Sequence, residues 1–191
     1  MKKFLAKIIF SVTGWKMIVS VDKDEMKKCV MIAAPHTTNW DLFYSLASFW
    51  KEEIPVRFFI KHTHTRAWYG FLIKSLGGIG VNRKKNNNLI EYAVKLLQER
   101  EELTILVPAE GTRKWVEEWK KGFYHIAKKA DVPVVLGYLD YAKKEAGIGE
   151  VVYLTDSFES DMKVIEDFYK DKKGRYPELY NPVIFKRAKD E

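Results

Sequence analysis

Short apolar runs alternate along this chain with segments of helical period, each close to the length at which a strand or helix buries one face. Residues 30–34, 56–61, 79–82, 103–107, 132–138 and 151–155 read as strands. Between them, 39–51 sets Leu42, Leu46 and Phe49 on one helical face, and 68–75 reads as a short helix. A helix over 88–100 has Asn88 as its cap and Leu89, Ala93 and Leu96 spaced for burial. Further helices are predicted over 122–130 and, after Ser160, over 161–170. Strands regularly separated by helices need a cover on both faces. The expected fold is therefore α/β, a mostly parallel mixed sheet flanked by helices. No repeat, low-complexity tract or Ser/Gly linker divides the chain, so 21–191 reads as one domain.

At 191 residues, 47% of them hydrophobic, the chain can bury a core without disulfides or metals. Its single cysteine, Cys29, excludes an intramolecular disulfide and suits a reducing compartment. The formal charge of +7 favours an anionic partner: nucleic acid, a phosphorylated small molecule or an acidic membrane surface. No apolar run reaches the roughly 18 residues of a membrane-spanning helix. Residues 1–20 are basic and apolar, but Lys7 and Lys16 interrupt the run and no small-residue cleavage site follows, which argues against a signal peptide. As a helix, this segment lines up Phe4, Leu5, Ile8, Ile9 and Val12 opposite Lys3 and Lys7. Such a stripe suits either a helix lying in a lipid interface or one packed on the core.

Three segments carry residues capable of chemistry, each just after a predicted strand or within a glycine turn. In Pro35-His36-Thr37-Thr38-Asn39-Trp40-Asp41 an imidazole precedes a carboxylate by five positions. Thr38 and Asp41 also fit a helix capping box. The two roles are compatible if His36 sits in the loop and folds back over the first helical turn. Asp41 would then accept from one ring nitrogen and leave the other basic. Gly77-Gly78-Ile79-Gly80-Val81-Asn82-Arg83 makes a turn and short strand ending in a guanidinium suited to phosphate. Pro108-Ala109-Glu110-Gly111-Thr112-Arg113 again pairs a carboxylate with a guanidinium. Read alone, Arg83 is a solvated charge beside Lys84 and Lys85, and Glu110 and Arg113 are a surface turn with a weak ion pair.

Other reactive side chains read as structural. Cys29 heads an apolar strand. His62 and His64 would share one side of a strand, but no carboxylate or cysteine lies close by in sequence to complete a metal site. His125 falls in a predicted helix without an evident partner. Trp115 and Trp119, interleaved with Lys114, Lys120 and Lys121, suit either a bilayer interface or the core face of a helix. No Gly-x-Ser-x-Gly elbow is present, which counts against a serine esterase. No RNA or DNA module is recognisable, and Asp41 and Glu110 suit a phosphodiester backbone poorly.

Taken in order, the three segments resemble the glycerophospholipid acyltransferase family, which includes the 1-acylglycerol-3-phosphate acyltransferases. His36-x-x-x-x-Asp41 matches the first motif, Gly78 to Arg83 the second, and Glu110-Gly111-Thr112-Arg113 the third. Val132-Pro133-Val134-Val135 looks like the fourth, and Lys121-Gly122-Phe123 with Ile126-Ala127 resembles the helix between the last two. Pro35 stands where Asn is common, Thr38 where Ser is usual, Ala109 where Pro is frequent and Lys114 where Ser is frequent. None of these removes a side chain given a chemical role. Little chain precedes the first motif, so the long anchoring segment of some relatives is expected to be missing.

The resemblance implies acyl transfer from a thioester, carried by coenzyme A or acyl carrier protein, to the hydroxyl of a lysophospholipid. His36 would be the general base and Asp41 its orienting partner. Arg83 and Arg113 would hold phosphate, with Lys61 as a secondary candidate, Glu110 would position the glycerol, and Gly111 and Thr112 complete the substrate-binding set. No metal or cofactor is implied beyond the thioester co-substrate. An acylated amino-acid lipid is the alternative acceptor. A basic module that binds membrane or nucleic acid without catalysis is the alternative of another class. The expected location is the cytoplasmic face of an anionic membrane, held peripherally rather than through a spanning helix.

Overall fold

The computed structural model describes residues 1–82 and 89–186. Its strands are β1 (Lys16–Val19), β2 (Lys28–Ala34), β3 (Val56–Lys61), β4 (Gly78–Val81), β5 (Leu103–Val107), β6 (Val134–Asp140) and β7 (Glu145–Val152). The helices are α1 (Lys2–Thr13), α2 (Lys23–Met26), α3 (Trp40–Glu52), α4 (His62–Arg66), α5 (Gly70–Ser75), α6 (Leu89–Gln98), α7 (Gly122–Ala130) and α8 (Phe158–Tyr169). One seven-stranded sheet runs in the order β1-β7-β6-β2-β5-β3-β4. Every neighbouring pair is parallel except β6 and β7, so the sheet is mostly parallel and mixed, as predicted.

β2 and β6 lie at the centre and are buried almost end to end, as strands covered on both faces must be. Val30 and Ile32 of β2 point into a cluster with Ala93 and Leu97 of α6 and Phe123 and Ala127 of α7. Cys29 and Met31 point the other way, toward Leu46 and Phe49 of α3. Burial pushes the Cys29 thiol up to about 12, so at neutral pH it is an inert apolar side chain. The chain leaves β5 on one side of β2 and returns as β6 on the other. That crossover opens a crevice at the carboxyl ends of β2 and β5, where α/β sheets commonly take ligands.

Several details differ from the sequence-based reading. The strand expected over 151–155 is the longer β7, and β1, α2 and α4 were not expected. His62 and His64 therefore sit on α4 rather than on a strand, two positions apart in a helix and so on different sides. His64 Nδ1 lies 2.9 Å from the Tyr69 hydroxyl, and among the described residues no cluster suited to a metal ion is found. Residues around Trp115 and Trp119 form a loop instead of a helix. Trp119 is 3% exposed, edge-on to Tyr169, whereas Trp115 is 54% exposed. His125 is exposed on α7 beside the Tyr124 ring. The cap of α8 is Ser157, whose hydroxyl accepts from Ser160 N–H, three positions ahead of the expected cap. The expected cap Asn88 lies outside the described residues. In β4, a β-carbon at Gly80 would collide with the Thr65 side chain of α4, so this glycine is required for close approach.

The N-terminal helix packs on the core through one face and leaves most of the predicted apolar stripe on the other. Ala6 and Phe10 are buried against α3, and Ile9 packs beside them. Phe4, Leu5, Ile8 and Val12 remain exposed. Lys51 of α3 lies over the Phe10 ring, and Lys3 pairs with Glu53 at 2.6 Å. Among the described residues, no helix is long and apolar enough to cross a membrane.

Candidate active site

Past Ala34 the chain leaves β2, turns through Pro35 and delivers His36 into the loop before α3. Asp41 lies in the first turn of α3, and its Oδ2 is 3.1 Å from His36 Nδ1. The same oxygen accepts from Thr37 N–H at 2.8 Å and Thr38 N–H at 2.9 Å. Half of the predicted capping box is thus formed, since Asp41 reaches back to the loop amides. The Thr38 hydroxyl instead accepts from Trp40 N–H at 3.4 Å. One carboxylate thus ties down the loop amides and orients the imidazole. The His36 side chain is 23% exposed and that of Asp41 only 6%, which leaves the ring open to a ligand and its partner shielded.

With Nδ1 donating to Asp41, Nε2 keeps its lone pair for a proton from outside. The ring opens on a cavity of about 450 Å³ at the carboxyl ends of the central strands. Its polar wall includes His36, Asn39, Asp41, Ser45, Thr112 and Arg113. Its apolar wall includes Ala33, Leu42, Phe58, Leu106 and Leu139. The cavity therefore places an imidazole and a guanidinium beside a surface suited to a hydrocarbon chain.

The remaining candidates take different places. Gly111, Thr112 and Arg113 line the same cavity as the His36–Asp41 pair. Glu110, 1% exposed, does not face it: Oε1 accepts from the His36 backbone N–H at 2.6 Å. Burial raises the Glu110 carboxyl to about 8, against the lowering effect of that bond, with the nearby Asp41 charge adding to the rise. Its Oε2 is buried and has no hydrogen-bond partner among the described residues. Glu110 thus ties down the histidine loop from outside the cavity wall. Lys61 ends β3 exposed and is not part of the cavity wall. Arg83 lies outside the described residues.

Two features had no counterpart in the sequence reading. Tyr141 donates its hydroxyl to Asp41 Oδ1 at 2.7 Å. The segment after α8 also crosses the histidine loop: Tyr176 N–H donates to the Thr37 hydroxyl at 3.3 Å, and Arg175 lies over the Trp40 ring at 5.8 Å. Both partners lie 100 or more positions from the motif, and no local pattern marks them.

The family model described as Acyltransferase matches residues 12–136, a span that takes in the loop of His36 and the cavity wall at Arg113. The chain belongs to the acyltransferase family. A relative from Mycoplasma pneumoniae, a probable 1-acyl-sn-glycerol-3-phosphate acyltransferase, is 28% identical over 140 residues. That alignment takes in 69% of this chain and 52% of the relative, so the chain spans about half the relative's length. The crystal structure of the 1-acyl-sn-glycerophosphate (LPA) acyltransferase PlsC from Thermotoga maritima superposes with a TM-score of 0.60 at 18% identity. It covers 88% of this chain and 75% of its own, a likeness of fold.

Proposed function

We propose that this acyltransferase moves a fatty acyl group from a thioester to a hydroxyl of a lysophospholipid such as 1-acylglycerol-3-phosphate. The observation that carries the reading is the 3.1 Å approach of His36 to Asp41 on the wall of a cavity shared with Arg113. His36 Nε2 removes the acceptor hydroxyl proton as its oxygen attacks the thioester carbonyl carbon. The tetrahedral intermediate collapses, the C–S bond breaks, and the departing thiolate takes the proton back from the imidazolium. Asp41 orients the ring and balances its transient charge. Arg113, with Arg83, holds the acceptor phosphate, and Gly111 and Thr112 shape the wall beside it. The donor is a thioester of coenzyme A or acyl carrier protein.

The membrane supplies the acceptor in this reading. The exposed Phe4, Leu5, Ile8 and Val12 of α1 and the formal charge of +7 support peripheral attachment to the anionic cytoplasmic leaflet. The test incubates purified protein with acyl-coenzyme A and acyl carrier protein donors and a panel of lysolipids, with products read by mass spectrometry. Acylated product from wild type and none from folded His36→Ala or Asp41→Ala is expected. Full activity in His36→Ala would remove the proposed base.

A further inference from the structure

We infer that Tyr141 is a positioning residue for the His36–Asp41 pair, setting through its bond to Asp41 how strongly the carboxylate holds the imidazole proton. The inference rests on the catalytic reading above and goes beyond it. The register of the sheet brings the tyrosine there. Ala34 of β2 pairs with Tyr138 of β6, so the chain beyond β6 runs beside the loop that carries His36. Asp140 ends β6 and its Oδ1 accepts from Ala142 N–H and Lys143 N–H, which fixes the turn and aims Tyr141 at α3.

The tyrosine is held on several sides. Its backbone N–H donates to Lys173 O at 2.9 Å. The Trp15 ring meets it edge-on at 4.9 Å and stacks on Tyr44 of α3 at 4.2 Å. Trp15, 6% exposed, is placed there because β1 begins beside it with Lys16 paired to Glu145. The hydroxyl thus meets Asp41 Oδ1 while Oδ2 serves the loop amides and the imidazole. Burial and the Asp41 bond push the Tyr141 phenol far above its ordinary range, so it remains a donor at any working pH.

A phenol that donates to one carboxylate oxygen draws charge from the other. The carboxylate still orients the imidazole but grips the imidazolium less tightly, so the base releases its proton to the leaving thiolate. The charged and titratable groups facing this network are His36, Glu110, Tyr44 and Arg175. Only Tyr141 and His36 bond the Asp41 carboxylate with a side chain among the described residues.

The test compares wild type with Tyr141→Phe, which keeps the ring against Trp15 and deletes the hydroxyl. The His36 ring titration, followed by NMR in the full chain, is expected to move up by at most about one pH unit, the ceiling reached if the whole worth of the bond lost at Asp41 passed to the imidazole. The acid limb of the kcat/KM profile moves up with it, and kcat falls about tenfold at unchanged acceptor KM. Incorporating 3-fluorotyrosine at 141, a stronger donor of nearly the same size, shifts the titration down and serves if the phenylalanine variant does not fold. A titration that stays in place in both proteins overturns the inference. Wild-type acyl transfer by His36→Ala overturns the catalytic reading instead, and the NMR shift separates the two failures.

Discussion

Glu110 and His36 are joined side chain to backbone at 2.6 Å, a bond that ties the loop after β5 to the loop after β2. Its acceptor is a carboxyl that burial raises to about 8. The folded protein therefore keeps a proton that the unfolded chain gives up near pH 4.3. The protonated carboxyl's contribution is fully present below that unfolded value and declines as pH rises toward about 8. Across the window wild type loses stability by up to about 1.4 kcal/mol per pH unit. Glu110→Gln keeps an acceptor for the His36 amide and lacks the proton, so its denaturant midpoint should be flat in comparison. Parallel curves for the two proteins between pH 5 and 8 would contradict the buried, protonated carboxyl.

His36→Ala should lower kcat by about 10²–10⁴-fold, the usual worth of a positioned base. Folding should survive, because Asp41 keeps the Thr37 and Thr38 amides and the Tyr141 hydroxyl as donors. Product formation by mass spectrometry and a thermal melt on the same sample separate loss of chemistry from loss of structure.

Arg113→Ala should raise KM for a phosphorylated acceptor by roughly 10–100-fold and leave kcat nearly unchanged. A charge-assisted bond of about 1.5–3 kcal/mol sets that range. The same substitution should not affect a phosphate-free acceptor of matching chain length, so comparing the two acceptors tests the assignment directly.

The two faces of α1 should respond oppositely to substitution. Ile8→Ser or Val12→Ser removes an exposed side chain and should weaken sedimentation with anionic vesicles by about 1–2 kcal/mol each, with the melting temperature unmoved. Phe10→Ala empties a site that is 4% exposed and should cost about 3–5 kcal/mol of folding stability. A melting temperature that falls with Ile8→Ser would place that side chain in the core.

Much of the architecture was legible because burial on both faces leaves a local signature. β3, β5 and α7 have the expected bounds, and β2 and β6 differ only at their ends. The first part of β7 escaped because Gly147 and Gly149 thin its apolar pattern. Those glycines leave room for the rings of Tyr138 and Phe168, a requirement set by residues elsewhere in the chain. β1 escaped because an edge strand of four residues with mixed exposure carries little periodicity. The same division holds in the cavity. His36, Asp41 and Arg113 stood out through local motifs, whereas Tyr141, Trp15 and the contact of Tyr176 with Thr37 exist only once distant strands are in register. Glu110 was visible as a residue, but its direction depends on the loop above it.

The segment that crosses Thr37 has a consequence for the order in which the protein comes into being. The histidine loop is synthesised early, yet Tyr141 and the stretch from Lys173 to Tyr176 that brace it emerge from the ribosome much later. A nascent chain that has reached only β5 carries both the imidazole and its acid but not their braces. The bracing around His36 and Asp41 is thus complete only once β6 has joined the sheet and the stretch after α8 has crossed the loop.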